Sequence, residues 1–311
     1  MDEQKNAPPH FKAVMEKLFT LPWLWLASLV LLYGGMELGS LIYWSEDIFP
    51  ALAESDVWIT CESYAVFWGV WALALLVIAA IPWDRPILGA LGSRLRGNTW
   101  KYFGIGLAIG FGMNALCAAA ALINGDIHIY FDSFNPAAFV LIFITVFIQS
   151  SSEEILCRVF IYQRLLRVYR SPVVAIVGNA VIFAAYHLLN PGVSAIAIAN
   201  ILICGVLLSL TVYYFDSFWC AAAIHTAWNF TQNTIFGLPN SGNVMPYSVF
   251  KLDAGSALKS FAYDPAFGIE GTVLSCLVLV CVAVGVFIWG RRHNARPTDI
   301  WAEQPAPEGR D

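Results

Sequence analysis

Glu153 and Glu154 stand side by side in a run of otherwise apolar residues, and Arg158 follows one helical turn later. Upstream lies the stretch from Ala138 to Ile148, and downstream lies Val159-Phe160-Ile161-Tyr162. Each charge at a bilayer centre costs about 2.5–3.5 kcal/mol on insertion scales, so such residues face a bundle interior or a wet cavity and mark function by default. Glu154 and Arg158 are spaced i, i+4 with the acid N-terminal, the better order for a helical ion pair. Glu153 points about 100° away around the helix. One neutralised and one free carboxylate is an arrangement suited to a general base. A purely structural charge network is the competing reading.

Three more polar residues sit in later apolar segments: His187 in Phe183-x-x-x-His187, and His225 with Asn229 in His225-x-x-x-Asn229. Glu153 lies 18 residues before Ser171 and His187 lies 15 after Pro172, the expected turn of a hairpin. In an antiparallel pair their heights then differ by about three residues, or ~5 Å. His225 and Asn229 share one helix face. Taken singly, a buried His is more often a satisfied core residue. A His/Asn pair is as easily interhelical glue of about 0.6–2 kcal/mol. Taken together they outline a hydrolase without a nucleophilic side chain. A carboxylate and an imidazole deprotonate a water, and an imidazole and a carboxamide donate hydrogen bonds to an oxyanion. Ser151 and Ser152 adjoin Glu153, but no Gly-x-Ser-x-Gly turn makes either a nucleophile. A zinc site of one Glu and two His with an open position is the alternative, although His-Glu-x-x-His is absent.

The elements that must carry these residues are membrane helices. The 311 residues are 59% hydrophobic and 13% charged, against about 25% charged in soluble domains. The fold expected is all-α, a polytopic transmembrane bundle. Eight segments approach the ~20 residues that cross a bilayer: Leu21–Trp44, Tyr64–Trp83, Tyr102–Ile123, Pro136–Tyr162, Pro172–Leu189, Ser194–Phe215, Phe218–Phe236 and Thr272–Trp289. Residues 1–20 form an N-terminal segment whose Phe11, Val14, Met15, Leu18 and Phe19 follow the period of an interfacial amphipathic helix. Residues 21–289 form the membrane domain, with its catalytic core at about 136–242, and 290–311 read as a disordered tail.

Charge sets the expected orientation. Of the 17 basic residues, 14 fall at the N-terminus, around 85–101, at 164–170 and after 290. Lys251 and Lys259 lie on the other side, and Arg158 lies within the membrane. The positive-inside rule therefore puts both termini in the cytoplasm. The loop 237–271 is a lid or a plain exterior loop. Asn190-Pro191 stops a helix, Asn200 is packing glue, and Glu37 is structural or lies at the outer interface. The seven scattered cysteines suggest neither disulfides nor a metal knuckle. No cofactor and no nucleic-acid partner is expected.

Glu153-Glu154-x-x-x-Arg158, Phe183-x-x-x-His187 and His225-x-x-x-Asn229, in this order on successive apolar segments, resemble the CPBP family of CAAX proteases and bacteriocin-processing enzymes, also called ABI. Trp228-Asn229-Phe230 and Phe236-Gly237-Leu238-Pro239 are similar to its bacterial members. The resemblance covers Val140 to Gly242 and implies an intramembrane glutamic endopeptidase of a bacterial inner membrane with no essential metal. It further implies Glu153 and His187 as the pair that activates water, His225 and Asn229 as the oxyanion site, and Glu154 with Arg158 as support. A peptide or protein substrate, membrane-associated, follows from it. Val159 departs from the family's frequent Gly after the Arg, a matter of packing. The rival readings are a non-catalytic chaperone or immunity-type binder on the same fold, a zinc-dependent protease, and a proton-coupled transporter.

Overall fold

The computed structural model describes residues 9–302, with side chains from Lys17 onward. It is a helical bundle. In chain order the main helices are α1 (Pro9–Gly39), α2 (Asp56–Ala65), α3 (Trp68–Ala80), α4 (Trp100–Ile123), α5 (Pro136–Glu154), α6 (Tyr162–Tyr169), α7 (Pro172–Tyr186), α8 (Ala195–Phe215), α9 (Phe218–Asn229) and α10 (Val273–Arg292). Six helical runs among the described residues are long and apolar enough to cross a membrane. They are Lys17–Ile48, Asp56–Ala80, Trp100–Ile123, Pro136–Tyr169, Ala195–Phe215 and Val273–Arg292. Two of the eight expected segments fall short of that standard. Helix α7 is apolar but only 15 residues long. Helix α9 and its continuation are interrupted by His225, Asn229, Gln232 and Asn233, all buried inside the bundle.

Lipid offers the backbone no hydrogen bonds, so helix starts must satisfy their own N–H groups. Ser55, Thr99, Asn135, Ser171, Ser194, Ser217 and Thr272 each accept a first-turn N–H through the side chain. These are the residue types that cap best. Helix packing uses small residues. Gly106 and Gly110 of α4 lie one turn apart against α9, where added Cβ atoms would run into the carbonyls of Cys220 and Ile224. This close approach of small-x-x-x-small type seats the helix that carries His225 and Asn229.

Several boundaries differ from the sequence expectation. Helix α1 is continuous through Pro22, so the proposed interfacial segment runs straight into the first span; its side chains at 9–16 lie outside the described residues. The second span starts earlier, at Asp56, and breaks between α2 and α3. Of the tail read as disordered from 290, residues up to 302 are described. Helix α10 reaches Arg292, Thr298 donates to Asp216 through its N–H (2.9 Å) and hydroxyl (2.6 Å), and Ile300 is buried. Residues 1–8 and 303–311, which hold the polar N-terminus and the end of that tail, lie outside the described residues.

The loop 237–271 is a folded cap. Its strand β2 (Phe250–Leu252) pairs antiparallel with β1 (Ile129–Phe131), in the register Ile129 to Leu252 and Phe131 to Phe250. Leu238, Ala262, Tyr263, Phe267 and Ile269 are fully buried beneath it, which gives the cap its own apolar anchor.

Candidate active site

Two of the three helices that carry the polar motifs change their winding just past the chemistry. After Glu154, α5 becomes a π-helix over Ile155–Ile161 before resuming as α6. After Asn229, α9 becomes a π-helix over Phe230–Ile235. Wide turns of this kind concentrate at functional sites because they re-aim side chains.

Glu154 and Arg158 pair as the spacing predicts, Oε1 to Nη1 at 2.9 Å, with both side chains fully buried. The guanidinium also donates to the Gly205 carbonyl (3.2 Å) and lies 4.6 Å over the Phe183 ring. Arg158 therefore ties the fourth expected segment to α7 and α8. The same Glu154 oxygen lies 2.9 Å from His225 Nδ1, a contact that helical spacing does not reveal. It turns the other ring nitrogen, Nε2, toward Glu153 Oε2 at 3.8 Å.

Glu153 is held differently. Its Oε1 accepts a 2.6 Å hydrogen bond from Gln149 Nε2. Its Oε2 is buried and has no hydrogen-bond partner. Gln149 extends the chain, because its Oε1 accepts from Asn229 Nδ2 at 3.1 Å and from Ser150 Oγ at 3.0 Å. Asn229 Oδ1 in turn accepts from Asn240 Nδ2 of the cap at 3.2 Å. A carboxylate only accepts hydrogen bonds, so Glu153 fixes the direction of every amide in the series Gln149, Asn229, Asn240.

His187 stands just past the end of α7, and its Nδ1 lies 3.0 Å from the Phe183 carbonyl. Phe183 thus serves three groups. Its carbonyl orients His187, its face carries Arg158, and its ring packs at right angles to His225 with centroids 5.9 Å apart. Glu153, His187, His225 and Asn229 all line one cavity of about 520 Å³. The structure joins Glu153 to His225 rather than to His187, which faces Glu153 only across this cavity. The estimate of matched heights assumed uniform α-helical rise between them, and the π-helical stretch breaks that assumption.

Gln149, Asn240, Ser241 and Glu270 belong to the polar lining, as do Ser63, Asn190, Asn200 and Asn243. Gln149 was legible as a polar residue one turn before Glu153 in an apolar segment. Asn240, Ser241 and Glu270 come from the cap, where no periodicity marks them. Glu270 accepts from Trp228 Nε1 at 3.1 Å and from the N–H and hydroxyl of Ser241 at 2.5 and 3.0 Å. Burial lifts its carboxyl above the usual range; the Ser241 bonds, the charge of His187 and the Trp228 N–H pull the other way and do not fully offset it. Ser151 and Ser152 return their hydroxyls to the backbone of α5, at Phe147 and at Gln149 (2.7 Å for the latter). Asn200 bonds Ser275 at 2.7 Å and so joins α8 to α10. Glu37 is exposed near the end of α1, outside the cavity lining. Among the described residues no three His, Cys, Asp or Glu side chains are grouped to hold a metal ion.

Residues 135–231 match the family model described as type II CAAX prenyl endopeptidase Rce1-like. Over this segment the chain is similar to Rce1-like proteins. The Rce1-like segment opens at the cap of α5 and closes within the second π-helix, so it contains Glu153, Glu154, Arg158, His187, His225 and Asn229. The match agrees with the CPBP resemblance drawn from the motifs. Neither the curated proteins nor the solved structures returned a match. The match, together with six helical runs among the described residues that are long and apolar enough to cross a membrane, makes this a multi-pass integral membrane protein.

Proposed function

We propose that the chain is an intramembrane endopeptidase of the glutamic type, which cleaves a peptide bond by direct attack of water. The observation that carries this reading is the buried Oε2 of Glu153, which has no hydrogen-bond partner and lies 3.8 Å from His225 Nε2, in a cavity that His187, His225 and Asn229 also line. Glu153 takes a proton from water at Oε2 as the resulting hydroxide adds to the scissile carbonyl carbon. His187, whose Nδ1 is committed to the Phe183 carbonyl, presents Nε2 to the same water and orients it. His225 with a proton on each nitrogen donates Nδ1–H to Glu154 and Nε2–H to the oxyanion. Asn229 Nδ2 supplies the second oxyanion donor on leaving Gln149. Collapse of the tetrahedral intermediate returns the proton from Glu153 to the departing amine. Fixed donors at a developing oxyanion are the largest catalytic contribution such a site offers.

The substrate is a peptide or protein attached to the membrane, and the match to CAAX prenyl endopeptidases makes prenylated CAAX tails the first class to try. The same reading puts both termini on the cytoplasmic side of a bacterial inner membrane, on the strength of the basic-residue asymmetry. The direct test is cleavage of quenched fluorogenic peptides, farnesylated and not, by the purified chain and by Glu153→Gln. Equal rates for the two proteins would remove Glu153 from the chemistry and the reading with it.

A further inference from the structure

Glu270 lies outside the matched segment and carries no motif, yet both of its oxygens are used. Its Oε1 accepts from Trp228, the neighbour of Asn229, and its Oε2 accepts twice from Ser241, the neighbour of Asn240. The carboxylate therefore closes a ring between α9 and the cap, on whose inner side Asn240 Nδ2 meets Asn229 Oδ1 at 3.2 Å. The corner it holds is a tight one. Asn240 and Asn243 exchange backbone hydrogen bonds of 2.8 and 2.9 Å. Ser241 between them has φ +48°, a left-handed conformation that side chains other than Gly adopt reluctantly.

The two ends of the Asn229 carboxamide have nearly the same shape and opposite hydrogen-bonding sense. Turned over, the group would present a carbonyl oxygen where the proposed oxyanion forms. Gln149 fixes one end from the membrane side and Asn240 fixes the other from the cap. We propose that Glu270 is a positioning residue of the peptidase: it holds the Asn240–Ser241 corner and through it keeps the Asn229 N–H groups turned toward Gln149 and Ser150, away from the cap. This rests on the role given to Asn229 above.

Glu270→Gln tests the idea with almost no change of shape. Because both oxygens accept, glutamine must turn its NH₂ against a donor, Trp228 or Ser241, in either orientation. Full-length wild type, Glu270→Gln, Asn240→Ala and the double variant are compared on a quenched farnesylated CAAX peptide. Each single change is expected to lower kcat by about 10- to 10²-fold, the scale for a misplaced catalytic group, with KM unchanged. The double variant is expected to be no worse than the weaker single, since both act through Asn229. Multiplying effects, or a change confined to KM, overturn the proposal. Hydrogen–deuterium exchange over residues 238–244 reads the latch without any substrate. Faster exchange in Glu270→Gln is expected, and unchanged exchange overturns the latch even if the enzyme cleaves. A wild type that cleaves no probe overturns the peptidase reading and the positioning role together, while the exchange still judges whether Glu270 holds the corner.

Discussion

Glu154 Oε1 and His225 Nδ1 lie 2.9 Å apart although 71 residues separate them in the chain. The same oxygen receives Arg158 at 2.9 Å. One buried carboxylate thus neutralises a cation on its own helix and orients an imidazole on another. Its neighbour Glu153 keeps one oxygen without a hydrogen bond, 3.8 Å from the other nitrogen of the same imidazole, so the two adjacent acids are held differently.

Their variants should part accordingly. Glu154→Gln leaves Arg158 uncompensated in a low-dielectric interior, and breaking a buried pair on one side typically costs about 3–5 kcal/mol. Folded yield and melting temperature should fall, and the protein that survives should cleave slowly because His225 has lost its anchor. Glu153→Gln keeps its shape and its neighbours. Yield should stay near wild type while turnover drops at least about 10²-fold, the low end for a lost acid–base group. Purified yield, thermal melting and peptidase rate measured on both variants decide the matter. Normal cleavage by Glu153→Gln beside a folded, inactive Glu154→Gln would reverse the roles.

Asn229→Ala removes one donor from the proposed oxyanion site. Turnover should fall by about 10²–10³ with substrate binding largely intact, as for loss of a single oxyanion donor elsewhere. A variant that loses only affinity would make Asn229 a substrate contact.

Activity should survive exhaustive chelation. The motivation is the donor set, since the fourth group of the constellation is a carboxamide, a poor zinc ligand. Metal content and rate are measured before and after treatment with a strong chelator. Loss of rate that zinc restores would favour metal-assisted hydrolysis at Glu153, His187 and His225.

Reporter fusions after Glu54 and after Asp253 should read as exterior, because the loops holding these residues lie opposite the strongly basic face. A cytoplasmic signal at either position breaks the proposed topology.

Glu270 gives a pH dependence whose sign follows from its burial. Its carboxyl titrates above the ordinary range in the folded protein, against about 4.3 when unfolded. The folded state then holds its proton more tightly. The stabilisation linked to that proton is complete below the unfolded value and is lost as pH rises through the lifted one. The melting temperature of wild type should therefore decline relative to Glu270→Gln as pH is raised from about 4. A gap that instead widens in favour of wild type would show that the three donors outweigh burial.

Much of this was legible in the chain. Apolar runs of bilayer length announce a helical membrane protein because lipid leaves the backbone few other choices. The i, i+4 pair of Glu154 and Arg158 follows from helix geometry alone and is present as expected. Of the six residues the motifs named, Glu153, His187, His225 and Asn229 line the cavity, and Glu154 and Arg158 pair beside it. Sequence did not decide which imidazole approaches which carboxylate. That choice depends on how α9 packs against α5 and on the π-helical stretch after Glu154, which shifts rise and azimuth on the way to His187 by amounts no periodicity records. Nor did it mark the cap. Asn240, Ser241 and Glu270 are ordinary loop residues until β2 pairs with β1 and the buried apolar residues of the cap fold it over the site. Local spacing fixes neighbours within one helix, whereas contacts between helices and a loop arise only when distant segments pack, and there the tertiary structure alone decided.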